Sequence, residues 1–114
     1  MLAVVVTAVL TLGAVQAAPG QSPSYDEAVR CAGLTQAASE LEGGESGEGR
    51  SLYDAALYWS LTAIQMAQAA ARPVATTEAD QTRARIRAVP ELTAGDADAR
   101  ARLQSCRART PRLG

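Results

Sequence analysis

Histidine, lysine, asparagine and phenylalanine do not occur in this chain of 114 residues, and their absence closes off much chemistry. A zinc site takes about four ligands, which two cysteines without histidine cannot supply. A thiol nucleophile activated by histidine is excluded for the same reason. A histidine switch near pH 6 is excluded too, so any response to acid rests on carboxylates, nearer pH 4. No CxxC pair is present to act as a redox motif. Acid–base catalysis would fall to carboxylates, Tyr and Ser, and these occupy ordinary capping or solvated positions. Asp54 and Tyr58 are spaced to hydrogen-bond one turn apart, an arrangement more often found on a surface than in a catalytic dyad. The sequence therefore specifies no catalytic residue, cofactor or metal site, and a binding or structural role is the class that remains.

A dominant charge is also lacking. The net charge of −1 sets up no field across the whole molecule that would select nucleic acid. Its distribution is uneven, however. Ala18 to Ser60 carries seven acids against two arginines, for −5, whereas the chain from Leu61 onward carries nine arginines against five acids, for +4. The simplest use of this split is acidic early helices lying beside basic late ones. All eleven basic residues are Arg. With abundant Ala and Gly, that points to a GC-rich, bacterial coding sequence.

No apolar run is long enough to cross a membrane as a helix. The apolar part of MLAVVVTAVLTLGAVQA, Met1 to Ala17, is only about fourteen residues, where a bilayer of ~30 Å needs about twenty. Val15 and Ala17 fit the −3 and −1 positions of a signal-peptidase site, although no Lys or Arg precedes the run. The reading is a signal peptide over residues 1–17 and a single exported helical domain over 18–114, periplasmic or extracellular. No stable membrane anchor remains after cleavage.

What the sequence does contain is helix. After a loose linker, Ala18 to Pro23, Ser24 with Glu27 forms a capping box. It opens a helix to about Glu42 with an inward row of Ala28, Cys31, Leu34, Thr35, Ala38 and Leu41. Gly43 to Arg50, GGESGEGR, reads as a wet loop; its glutamates and the missing GK[ST] ending argue against a phosphate cradle. The organising stretch is Ser51 to Arg72, with the only Trp and two of the three Tyr. Ser51 with Asp54 resembles a capping box, with a start one turn earlier as the alternative. One apolar row runs Leu52, Ala55, Ala56, Trp59, Ala63, Met66, Ala70. A second, on another side, runs Tyr53, Leu57, Leu61, Ile64, Ala71. Such a helix demands cover on several sides, from other helices or a second molecule. Pro73 ends it. Thr77 with Asp80 caps a third helix, about Glu78 to Val89, with an apolar row of Ala79, Thr82, Ile86 and Val89. Pro90 interrupts or kinks the chain there. Gly95 and Asp96 start a last helix to about Arg109, burying Ala99, Leu103 and Cys106, and Thr110 to Gly114 frays.

The fold class that follows is all-α: a small four-helix up-down bundle, its last two helices short. In that arrangement the start of the first helix lies beside the end of the last, which brings Cys31 and Cys106 level. In an exported protein two such cysteines form one structural disulfide. Tyr53, Leu57, Leu61 and Ile64 are the candidate partner-binding residues, for a homodimer or for an envelope protein partner. Small exported helical proteins with one disulfide, such as the periplasmic acid-stress chaperones, are broadly similar in size and architecture. That similarity is an analogy and rests on no shared motif.

Overall fold

The computed structural model describes residues 22–112, so the segment read as a signal peptide lies outside the described residues. These residues are all helical, with four helices and no strand among them. They are α1 (Tyr25–Glu42), α2 (Gly47–Ala69), α3 (Val74–Thr93) and α4 (Ala97–Ala108). Only α4 is short, because α3 runs for 20 residues.

The capping box at the start of α1 forms as its spacing requires. The Glu27 amide donates to Ser24 Oγ at 3.0 Å, and the Ser24 amide donates to Glu27 Oε1 at 2.8 Å. Beyond it α1 is buried almost all round, at Ala28, Val29, Cys31, Ala32, Gly33, Leu34, Thr35, Ala37, Ala38 and Ser39. It packs against all three other helices. The helix covered on several sides is thus α1, and not the Trp-bearing stretch. Small side chains explain the difference. A helix of Ala and Gly lets three neighbours approach closely, whereas hydropathy marks large residues and passes over it. At Gly33 a Cβ would lie 2.5 Å from Ala84 Cβ and 2.6 Å from the Ala84 carbonyl carbon, so α1 and α3 meet there backbone to backbone. Leu41, expected inward, is instead 52% exposed.

α2 begins a turn earlier than the Gly-rich composition implies. Ser46 caps it, accepting the Gly49 amide at 2.9 Å, and the loop shrinks to Gly43–Ser46. Gly49 is needed because a Cβ there would lie 1.7 Å from the Gly43 carbonyl oxygen. α2 also ends before Pro73. The Arg72 amide donates to Ala67 O at 2.8 Å and the Ala71 amide to Gln68 O at 3.0 Å. This is a Schellman closure with alanine at φ 58°, where glycine is normally found. Ala71→Gly is expected to raise stability by about 0.5–1 kcal/mol, the left-handed strain outweighing the added freedom of the unfolded chain. Thermal melts of the two proteins check this, and an unchanged or lower midpoint contradicts it.

α3 starts at Val74, directly after Pro73, four residues before the expected position. Thr77 is therefore no cap. It is fully buried and lies 3.4 Å from the Tyr25 hydroxyl, which also donates to Asp80 Oδ2 at 2.7 Å. The buried face of α3 is Thr77 and Ala88, with Gln81, Ala84 and Leu92 half-buried between and beyond them. Ala79, Thr82 and Ile86 of the expected row are exposed, and Val89 is half-buried. The close crossing at Gly33 selects the face with the smallest residues and turns Ile86 out. Pro90 does not stop the helix. It leaves the Ile86 carbonyl without its usual donor, but Ile86 is 58% exposed, so water can serve that acceptor.

α4 opens as read. Gly95 takes φ 74°, and Asp96 Oδ2 accepts the Ala99 amide at 2.8 Å. It buries Ala99 and Cys106, with Leu103 half-buried. The charge split resolves within the molecule. Arg85 pairs with Glu40, Arg107 with Glu48 and Arg109 with Glu27, each joining a late arginine to an early acid. Arg30 with Glu91 runs the other way.

Candidate functional site

α2 presents two faces with opposite fates. Its inner face buries Leu52, Ala55, Ala56, Trp59, Ala63 and Ala67. Trp59 is 1% exposed, and its indole N–H donates to Thr110 Oγ1 at 2.9 Å and to the Cys106 carbonyl at 3.2 Å. Thr110 Oγ1 donates in turn to that same carbonyl at 2.8 Å. The Tyr58 ring meets the indole edge-on with centroids 5.1 Å apart, and the Arg109 guanidinium lies 5.6 Å from the indole centroid. Thr110 was expected to fray. A polar residue past the end of a helix gives no hint of a buried indole that needs an acceptor.

Beside Trp59 lies the cystine. The Cys31 and Cys106 sulfurs are 2.09 Å apart and their Cα atoms 5.5 Å, across a separation of 75 residues. Both half-cystines are buried. The bond joins the second turn of α1 to the last turn of α4, the pairing read from the sequence.

Among the described residues the outer face of α2 is left uncovered. Tyr53 is 56% exposed, Leu57 43% and Leu61 58%, while Ile64 is half-buried. These residues recur at helical spacing along one side. From Ala55 to Ala71 no side chain carries a charge, so nothing on this length of α2 opposes apolar association. The second row is thus brought together as a stripe, with Ile64 as its partly covered end.

Several charged side chains of the surface are paired within the molecule. Asp54 and Tyr58 share no hydrogen bond among the described residues. Asp54 instead lines an open groove of about 880 Å³ together with Arg50, Arg107 and Arg112. Arg107 grips Glu48 through both guanidinium ends, at 2.5 and 3.1 Å, and Arg50 donates to the Glu45 carbonyl at 2.7 Å. The Arg107 guanidinium holds the Glu48 carboxyl below the usual carboxylate range, and Glu48 raises Arg107 in return. Glu27 is lowered chiefly by the Ser24 amide, with Arg109 assisting. Burial pushes the Tyr25 hydroxyl up, and the Asp80 carboxylate adds to that shift. A smaller groove of about 430 Å³ has Cys31 and Cys106 in its lining, beside Arg30, Arg87, Arg102 and Arg109 and the acids Asp26, Glu27 and Asp98. Among the described residues no three His, Cys, Asp or Glu side chains stand close enough to hold a metal ion, and no helix is long and apolar enough to cross a membrane.

The geometry defines a disulfide-closed, four-helix chain with one apolar helix face open to solvent. Compared with known proteins, the chain matches no family model, no curated protein and no solved structure.

Proposed function

We propose that this is a small exported interaction module, non-enzymatic, which docks through the outer face of α2. Tyr53, Leu57, Leu61 and Ile64 are its binding residues and a second copy of the chain is its first partner. The observation that carries the reading is the exposed apolar stripe on a helix whose opposite face is fully packed. The stripe is self-complementary. In an antiparallel pair centred between Leu57 and Leu61, each Leu57 meets the partner's Leu61, and each Tyr53 meets the partner's Ile64 and Gln65. One patch thus makes both halves of a two-fold interface, without like charges opposing between Ala55 and Ala71. The stripe is four residues long and falls short of the roughly 800 Å² per partner of a standard interface, so the dimer is weak and exchanging. An N-terminal signal peptide, cleaved after Ala17, would deliver the chain to the periplasm or the exterior, where its cystine is kept oxidised.

Light scattering after size exclusion tests the dimer. Its mass is expected to rise with loading concentration towards twice that of the chain. Leu61→Glu should weaken association at least tenfold, about 1.4 kcal/mol, with helicity unchanged. A monomer at every concentration sinks the dimer and leaves the stripe to an envelope protein partner.

A stress-chaperone-like role is the second reading, on the analogy of size and architecture. The carboxylates Glu27 and Glu48, paired with Arg109 and Arg107 beside the cystine, are the groups an acid response would titrate. Both carboxyls sit below their ordinary range, so the small contribution of these half-exposed pairs is complete above the unfolded carboxylate pKa and is lost as pH falls through the lowered one. Exposure of apolar surface to a reporter dye should accordingly begin below about pH 4. A protein that binds no dye down to about pH 2, or that suppresses no client aggregation there, excludes the chaperone reading.

A further inference from the structure

α4 differs from the other helices in how it is held. It has 12 residues and buries only Ala99 and Cys106. Its C-terminal half is fixed by separate ties: the Cys31–Cys106 bond, the Arg107–Glu48 and Arg109–Glu27 pairs, and the Trp59 hydrogen bonds to Cys106 and Thr110. The acids of both ion pairs are about half exposed, with Glu48 at 50% and Glu27 at 53%, and exposed pairs of this kind contribute little. The other three helices close on one another without α4. α1 meets α3 at Gly33 and Ala84 and through Tyr25 with Thr77 and Asp80. α2 meets α3 through Ser60, whose hydroxyl donates to Gln81 Oε1 at 2.7 Å. Among the described helices α1 and α2 make the most extensive contact.

We propose that α4 is a strap locked over Trp59 by oxidation. In the dithiol chain α1, α2 and α3 stay packed, while the end of α4 and Thr110 leave the indole. Opening breaks the one S–S bond. A dithiol reductant supplies two electrons and two protons, Cys31 and Cys106 become thiols, and the reductant becomes a disulfide. Closing reverses the exchange. The two states differ in what α2 displays: its outer stripe alone when closed, and the Trp59 indole as well when open. A chain that arrives reduced in an oxidising compartment would pass from the open to the closed form once. Nothing in this rests on the dimer.

Trp59 is the only tryptophan, so its emission reports the strap directly. The full chain is compared at 25 °C oxidised, reduced with dithiothreitol, and as the Cys31→Ser/Cys106→Ser double variant, by emission, iodide quenching and amide exchange. The reduced protein and the variant are both expected to show red-shifted emission and readier quenching. Protection over residues 99–110 should fall roughly tenfold or more, while Ala28–Ala38 and Ala84–Ala88 keep theirs. Unchanged emission and protection would show that α4 stays docked without the bond and would overturn the proposal. Equal loss of protection across all four helices would overturn it as well, because α4 would then be no separate unit.

Discussion

Loss of the Cys31–Cys106 bond is expected to lower the thermal midpoint by roughly 20–30 °C. Closing a loop of this length removes conformational freedom from the unfolded chain worth about 4–5 kcal/mol in the chain-entropy model. Each kcal/mol moves the midpoint of a domain this size by about 4–8 °C. The effect is large because the core is poor. Its buried apolar side chains are mostly alanine, with Val29, Leu34, Leu52 and Trp59 as the larger members. Burial stabilises in proportion to apolar area, and an alanine methyl offers little of it. The bond also lies beside the one large aromatic of the core, where it holds Cys106 and Thr110 over the indole. Calorimetry of the oxidised protein, the reduced protein and the Cys31→Ala/Cys106→Ala variant at one pH measures the loss. A fall of less than about 5 °C would mean that the bond adds little to what packing already supplies.

The second large effect is expected at Gly33. Alanine is the better helix former by about 1 kcal/mol, and in an open position the substitution would stabilise. Here the added Cβ would meet Ala84 Cβ at 2.5 Å, the Ala84 carbonyl carbon at 2.6 Å and the Arg85 amide nitrogen at 2.8 Å. Two of those atoms are backbone, which no rotamer change can move aside. α1 and α3 must part along their crossing, which also strains the hydrogen bonds from Tyr25 to Thr77 and Asp80. Gly33→Ala is expected to destabilise by about 1–2 kcal/mol and Gly33→Val by about 3 kcal/mol. Gly47→Ala, where a Cβ would touch nothing within 4 Å, serves as the control and should be neutral or stabilising. Urea titrations of the three variants decide. If Gly33→Ala stabilises as the control does, the close crossing is wrong.

These two positions mark where the sequence was legible and where it was not. The Ser24–Glu27 box, the Asp96 cap and the cysteine pairing could be read because each depends on a few residues at fixed spacing or on a simple count. The outer stripe of α2 could be read as a row, and the structure places Tyr53, Leu57 and Leu61 in solvent with Ile64 half-buried, Ala71 lying past the end of the helix. Packing of small residues was the illegible part. Gly33 and Ala84 carry no hydropathy signal, so the centre of the fold was assigned to the Trp59 helix and the inner face of α3 to Ile86. Gly47 and Gly49 read as loop because glycine disfavours helix. The Ser46 cap and the approach to Gly43 override that preference. Thr77 read as a cap by type, when its place is a buried contact to Tyr25. Pro90 read as an interruption or a kink, and the helix runs through it, since a proline whose orphaned carbonyl faces water need not end a helix.

One covalent tie, between the second turn of α1 and the last turn of α4, closes the fold. The direct test is alkylation of protein purified from its natural host, under denaturing, non-reducing conditions, followed by intact-mass and peptide analysis. The account predicts a monomer-mass chain with no alkyl adduct before reduction and two after it, and a single cross-linked peptide pair containing Cys31 and Cys106. Two adducts before reduction, or Cys31 and Cys106 bridged only between separate chains, would contradict it.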